Sequence, residues 1–229
     1  MHKSIFVISI LVFTSAALAA TNPADRWAAA VGGREKVGAI KSTYREATIE
    51  VSGFAGTIKA WHTPEGRYRK EEQVGIFSTI ETFDGTNGLV QRGSEAQRAM
   101  TAPEIVRAKT TAFANWNAGF FVFFPERRRG TVTAEGDDTI VFQPEGGIDW
   151  RVMLDPQTSL PKTMVHKEGE RTVTVTFVSY ETIDGIAFEK EIHRTNGDPR
   201  FDAVIKFTKT VINPSVDAST FTIEPKKAQ

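Results

Sequence analysis

The sequence predicts a mainly β, α+β protein: a strongly curved antiparallel sheet, an unclosed β-barrel of about 10–11 strands, covered by a helical lid. Three observations predict it. Most of the chain alternates apolar and polar residues with a period of two, the pattern of antiparallel strands with one solvated face. Turn signals such as Pro64-Glu65-Gly66, Gly75 and Asp84-Gly85-Thr86-Asn87-Gly88 divide these runs at hairpin spacing. Only two substantial segments carry helical signals. A sheet this wide curls or splits rather than staying flat, and the helices are available to fill its concave mouth.

The N-terminus reads as a secretory signal. His2 and Lys3 precede an apolar run from Ile5 to Phe13, and Ala17-Leu18-Ala19 supplies the small-x-small cleavage pattern. Residues 1–19 are therefore expected to be removed after Ala19, leaving one periplasmic domain over residues 20–229. The apolar run falls short of the roughly 20 residues that span a bilayer, and no later stretch is long enough. No cysteine follows that could carry a lipid anchor.

After the signal, Asn22 and Pro23 read as the N-cap and first residue of a helix that carries Trp27, Ala28, Ala29 and Val31 up to Gly32-Gly33. A short helix over Glu35 to Ala39 is expected next. Extended runs follow at 48–51, 56–63, 67–72, 77–83 and 89–91. Ile58 and Ala60 share a face of the second, and Phe77 and Phe83 share a face of the fourth. Thr101 and Glu104 have capping-box spacing. Behind them Ile105, Ala108, Ala112, Phe113 and Trp116 form one apolar helical stripe. Asn117 to Gly119 is expected to end that helix, ahead of the run Phe120-Phe121-Val122-Phe123-Phe124, the most hydrophobic stretch beyond the signal.

Strands resume at 131–134, 139–143 and 149–155, where Trp150, Val152 and Leu154 oppose Arg151 and Met153. Asp155-Pro156 opens a turn that closes by Pro161. Runs at 162–167, 172–181, 186–193 and 200–211 complete the set, and Phe201, Ala203, Ile205 and Phe207 share a face of the last. There is no repeat, linker or low-complexity segment.

Composition narrows the chemistry. Lys and Arg number 28 and Asp and Glu 28, so nothing points to nucleic acid or an anionic membrane as an electrostatic partner. Arg127-Arg128-Arg129 lies between Pro125 and Gly130 and reads as a solvated loop. The absence of cysteine excludes disulfides, thiol catalysis, thiolate metal sites and iron–sulfur clusters. Past the signal, His62, His166 and His193 fall on separate strands with no metal-ligand spacing, and His62 reads as a surface residue at a strand end. There is no His-Glu-x-x-His pattern and no Gly-x-Ser-x-Gly elbow. Adjacent carboxylates Glu71-Glu72 and Asp137-Asp138 point apart or into water. The expectation is a non-enzyme without metal or cofactor. A hydrolase with a hidden carboxylate pair ranks behind it.

The unusual feature is apolar: 16 Phe and 4 Trp, concentrated in the strands and in the 116–124 region. A curled sheet of this width encloses more volume than two helices readily fill, and large barrels commonly hold ligands. The residues expected to line such a cavity and its lid are Ile58, Phe77, Phe83, Phe113, Trp116, Phe120, Trp150, Val152, Ile205 and Phe207. Phe113 and Trp116 are expected to face the sheet and close the cavity.

Several short motifs in order carry a family resemblance. Gly56-Thr57-Ile58-Lys59-Ala60-Trp61, Pro64, Arg67-Tyr68-Arg69 and Phe83-Asp84-Gly85 resemble the LolA family of periplasmic lipoprotein carriers. The closing segment from Val216 to Pro225 is similar to that of the same carriers. Gly32-Gly33 followed by Lys36, Ala39, Ile40 and Lys41-Ser42 looks like a branch of the superfamily found in outer-membrane lipoprotein-sorting proteins. The resemblance implies an unclosed barrel of about eleven strands, with a helical lid over an apolar cavity. It implies transport of lipoproteins, held by their acyl chains, or of other lipid-like cargo through the periplasm during outer-membrane biogenesis. Arg45 is the best positional candidate for a lid latch. The alternative implied by the same fold is a structural or regulatory module that binds an envelope protein partner, its cavity filled by side chains.

Overall fold

A computed structural model describes residues 22–113, 117–127 and 129–222. The proposed signal with its cleavage site, Trp116, Arg128 and the end of the closing segment lie outside the described residues.

The first helix, α1 (Pro23–Ala30), starts where the sequence places it. The Asn22 Oδ1 accepts from the Ala24 amide at 2.9 Å. Gly32 ends the helical region with φ +122°, and a Cβ there would collide with the Gly185 carbonyl oxygen. Only glycine lets this turn approach so closely. The Ala187 amide donates to the Val31 carbonyl beside it at 2.9 Å, tying the turn to the sheet. The short α2 (Arg34–Gly38) follows.

Thirteen strands form one antiparallel sheet among the described residues. The N-terminal arm is a meander: β1 (Thr43–Val51), β2 (Phe54–His62), β3 (Tyr68–Val74), β4 (Phe77–Phe83), β5 (Gly88–Arg92) and β6 (Arg98–Ala99). The C-terminal arm is a second meander: β7 (Gly130–Glu135), β8 (Thr139–Pro144), β9 (Trp150–Leu154), β10 (Pro161–Glu168), β11 (Arg171–Ile183), β12 (Ile186–Thr195) and β13 (Ala203–Ile212). One pairing, β1 with β13, joins the arms, running from Thr43↔Ile212 to Val51↔Ala203 with a bulge at Glu46/Ala47. The edges β6 and β7 are not paired with each other, so the sheet is the expected unclosed barrel. Twelve of the strands correspond to extended runs read from the sequence, and the thirteenth, β6, is two residues long and leaves no readable alternation.

Between the two edges the chain passes through α3 (Ala102–Phe113) and α4 (Asn117–Phe123). The predicted capping box forms on its carboxylate side. Glu104 Oε2 accepts from the Thr101 amide at 2.8 Å, while the Thr101 hydroxyl donates to the same oxygen at 3.0 Å instead of capping the helix. Arg98 adds a bidentate pair to Glu104 at 2.7 and 2.8 Å, which fastens the edge strand to the helix start. Arg98 and the Thr101 amide together hold the Glu104 carboxyl well below the usual carboxylate range.

The run 120–124 corrects the sequence reading. Asn117 to Gly119 opens a second helix instead of ending the first, and Phe120, Phe121, Val122 and Phe123 are all buried within it. A continuous apolar run has no period to read, so a buried helix and a buried strand look alike. These side chains fill the C-terminal arm. Phe123 meets Trp27 edge-on at 5.1 Å, and Phe121 bridges Phe113 at 5.0 Å and Phe142 at 5.7 Å. Each such burial contributes about 1.5–3 kcal/mol. Strand faces follow the predicted alternation: Trp150, Val152 and Leu154 are buried and Arg151 is exposed. Among the described residues no helix is long and apolar enough to cross a membrane.

Candidate functional site

The arms curve around a cavity of about 430 Å³, bounded by the concave sheet face and by α3. Parity puts the lining there. Alternate residues of a strand face one side, so β1 contributes Arg45 and Ile49, β2 contributes Ile58, Ala60 and His62, and β3 contributes Tyr68, Lys70 and Glu72. The other arm supplies Trp150, His166 and Glu168, then Val175, Ile192 and Arg194, and finally Ile205 and Phe207. The helix offers Arg107, Thr110 and Thr111. The volume lies within the roughly 300–1,000 Å³ of small-molecule sites.

Of the residues expected at this site, Ile58, Trp150, Ile205, Phe207 and Arg45 line the cavity. Phe83, Phe113, Phe120 and Val152 are buried in the packed core beside it. Phe83 packs against Tyr68 at 5.8 Å, and Phe113 meets Phe121 and the Gly66 turn. Phe113 therefore anchors the end of α3, while the helix face over the cavity is polar. Phe77 corrects the alternation argument. It has the concave-side parity, paired with Val74, but sits at the β3–β4 hairpin tip and is 70% exposed. Parity fixes a face; it does not say whether the curved sheet still has a cover at that height. Phe201, expected in the last strand, lies in a 3-10 turn (Pro199–Phe201) at the cavity rim. Trp116 lies outside the described residues.

Arg45 is buried at 3% exposure, and its Nη1 lies 3.0 Å from the buried Glu189 carboxylate on β12. Its guanidinium lies 3.4 Å from the Phe207 ring centroid, and its Nε donates to the Thr210 hydroxyl at 3.3 Å. Burial lowers its pKa against the opposing pull of Glu189. All of these partners belong to β12 and β13, none to a helix.

The polar part of the lining was missed as a site. His62 is enclosed, and burial, helped by the charges of Arg45 and Lys70, pushes it down to about 4. Lys70 pairs with Glu72 at 2.9 Å. On the facing arm, His166 stacks on Trp150 with centroids 4.0 Å apart. His166 also bonds Glu168 at 3.1 Å, and Arg194 reaches the same carboxylate at 3.2 Å. That hydrogen bond and the Arg194 charge hold Glu168 down to about 2. The signal existed in the sequence. His62 shares its parity with Ile58 and Ala60, so an inward face carries it, and Lys70 follows Tyr68 in the same way. Both cavity carboxylates are thus engaged in ion pairs. Among the described residues no cluster of three or more His, Asp or Glu converges as metal ligands.

No family model matches the sequence, and no curated protein sequence matches it. Solved structures do match in shape. A DUF1329 family protein from Desulfovibrio piger superposes with a TM-score of 0.53 at 12% identity, over 87% of this chain and 95% of its own. A LolA superfamily protein from Nitrosomonas europaea gives 0.52 at 10% identity, over 86% and 97%. A putative outer membrane lipoprotein-sorting protein domain from Vibrio parahaemolyticus gives 0.51 at 6% identity, over 79% and 89%. At these identities the likeness is one of fold, and this chain has the LolA-like fold: a curved, unclosed antiparallel sheet with helices over its concave face.

Proposed function

We propose that this protein is a periplasmic carrier or sensor that holds the acyl chain of a lipoprotein, or another lipid-like ligand, in its concave cavity. The observation that carries this reading is the cavity of about 430 Å³ with Ile49, Ile58, Val175, Ile192, Ile205 and Phe207 in its wall. The helices leave this space unfilled. Each methylene buried there contributes about 0.8 kcal/mol. The α3 face over the cavity carries Arg107, Thr110 and Thr111 in place of large apolar side chains. Over the cavity itself this face does not fill the space as a packed core would, while the two ends of α3 stay fastened through Glu104 and Phe113. Binding fits the site better than catalysis, since Glu72 and Glu168 are both held in ion pairs. The signal-like segment before residue 20 supports the compartment.

A second reading, a non-catalytic envelope module that docks a protein partner, is supported by Phe54, Ile76 and Phe77. They stand exposed on neighbouring hairpin tips at 56%, 89% and 70%.

Native mass spectrometry of protein purified without delipidation tests the first reading. The expected spectrum contains a species heavier by the mass of an acyl-bearing ligand, lost on organic extraction. A single unliganded mass, together with failure of the extracted protein to bind a neutral apolar fluorophore, would overturn it.

A further inference from the structure

Strand β7 (Gly130–Glu135) ends the sheet, and its outer side is open. Its neighbour β8 fixes which backbone groups face that way. The Glu145 amide donates to the Arg129 carbonyl at 2.7 Å, in the register that sets Thr131 opposite Gln143 and Glu135 opposite Thr139. Bonded pairs alternate along an antiparallel ladder, so Thr131, Thr133 and Glu135 turn their N–H and C=O groups toward β8. On the far side of β8 the Leu154 amide donates to the Asp138 carbonyl at 2.8 Å, which gives the same phase. Gly130, Val132 and Ala134 therefore point their N–H and C=O groups outward, and no backbone group among the described residues bonds them there.

Edge strands of proteins that stay apart are guarded by shortness, proline, charge or a bulge. The opposite edge of this sheet is guarded. There β6 is two residues long, and Arg98 and Arg92 stand beside it in ion pairs with Glu104. By contrast β7 has six residues, Gly-Thr-Val-Thr-Ala-Glu, in unbroken register with β8, without proline or lysine. All of them except Val132 are exposed.

We infer that β7 pairs with β7 of a second copy, antiparallel about a two-fold axis at Val132. That register sets Val132 opposite Val132 and Gly130 opposite Ala134, so every outward N–H and C=O group of these residues meets its complement. Thr131 then faces Thr133 of the second copy at a non-bonded pair, where side chains come closest and threonines pair well. Arg129 falls opposite Glu135, so unlike charges face each other across the axis and like charges do not. Sliding the register either way carries one end of the strand past its mate. A contact of two strand edges is smaller than the roughly 1,200 Å² at which stable interfaces begin, so the dimer is reversible and forms at high concentration. Residues of β7 take no part in the cavity wall, so the pairing does not depend on what the cavity holds.

Sedimentation velocity of the purified protein over a range from about 1 μM to about 1 mM tests this, and the expected result is a shift from monomer toward dimer. Ala134→Pro removes an outward N–H and none that β8 uses. It should weaken dimerisation about tenfold or more and leave the urea midpoint unchanged. Thr133→Lys keeps the backbone and sets a lysine near Arg129 of the second copy, so it should weaken the dimer by repulsion. Ile76→Ser, at the exposed β3–β4 tip, should change nothing. The chain has no cysteine, so one introduced thiol is unique. Two Val132→Cys residues would face each other with Cα atoms about 5.5 Å apart, within disulfide reach, and mild oxidation should link them. Ala134→Cys lies opposite Gly130 of the second copy and should not link. A monomer at every concentration overturns the pairing. So does a dimer that survives both Ala134→Pro and Thr133→Lys, one that is lost with Ile76→Ser, or equal linking at positions 132 and 134.

Discussion

Arg45 on β1 and Glu189 on β12 form an ion pair 3.0 Å apart across the seam that joins the two arms, with 3% and 6% of their side chains exposed. The long Arg45 side chain spans the intervening β13, and its Nη2 also donates to the Glu189 backbone carbonyl at 2.5 Å. Breaking such a pair leaves a buried charge without its partner. Arg45→Met should therefore lower stability by about 3–5 kcal/mol, and Arg45→Met combined with Glu189→Met should recover most of the loss. Urea denaturation of the three proteins measures this. A lid latch predicts another result: Arg45→Met would leave stability alone and change only the rate of ligand release.

Thr111 faces the cavity from α3 and is half-buried. Placing an indole there fills space that is already empty, so the overpacking cost of about 1–3 kcal/mol in a filled core does not apply. Thr111→Trp should leave the urea midpoint within error of wild type and abolish binding of an apolar fluorophore. Unfolding of the variant would mean the cavity is not a void the fold tolerates filling.

The parts of this fold that were legible share one property: their side chains keep a period over several residues. Trp150, Val152 and Leu154 against Arg151 gave the face of β9, and Asn22-Pro23 gave the start of α1. The width of the alternating pattern gave the open barrel, and the resemblance of short motifs agreed with it. The helix from Asn117 was hidden because every residue of its apolar run is buried, which removes the contrast between faces. At the site, apolar inward residues were found and charged ones were not. Apolar side chains announce an inward face by type, whereas Lys70, His166 and Arg194 are charged or polar groups that the curved sheet turns toward the cavity, and their parity alone marked that face. Phe77 is the converse case, an aromatic placed by parity beyond the reach of any cover.

That exposure is itself testable. A phenylalanine in water at a hairpin tip contributes little to folding, so Phe77→Ser should shift stability by no more than about 0.5 kcal/mol. Phe142, fully buried one strand from the edge β7, should cost about 3–5 kcal/mol on change to alanine. A comparable loss at both positions would place Phe77 in a packed interior after all.

The last prediction follows from His62. In the folded chain burial and the neighbouring Arg45 and Lys70 charges push its pKa down to about 4, whereas an unfolded histidine titrates near about 6.5. Between these values the unfolded chain holds a proton that the folded chain refuses. Stability must then fall as pH drops from about 6.5 to about 4, with a slope of at most about 1.4 kcal/mol per pH unit for one proton. Below pH 4 this group contributes no further slope. Glu168 acts in a separate window. Its folded pKa of about 2 is depressed by His166 and Arg194, so its contribution is present above the unfolded carboxylate value and is lost as pH falls toward 2. Urea midpoints taken at intervals from pH 7 to pH 3 should therefore decline in two limbs. His62→Gln should flatten the upper limb and spare the lower, and Glu168→Gln should spare the upper limb and make the lower shallower without removing it, because Glu104 is held low by Arg98 and the Thr101 amide and contributes to the same limb. An upper limb that persists unchanged in His62→Gln would mean that this imidazole already accepts its proton in the folded protein, and hence that the cavity floor around it is wetter and less positive than its enclosure by Arg45, Lys70 and Tyr68 requires.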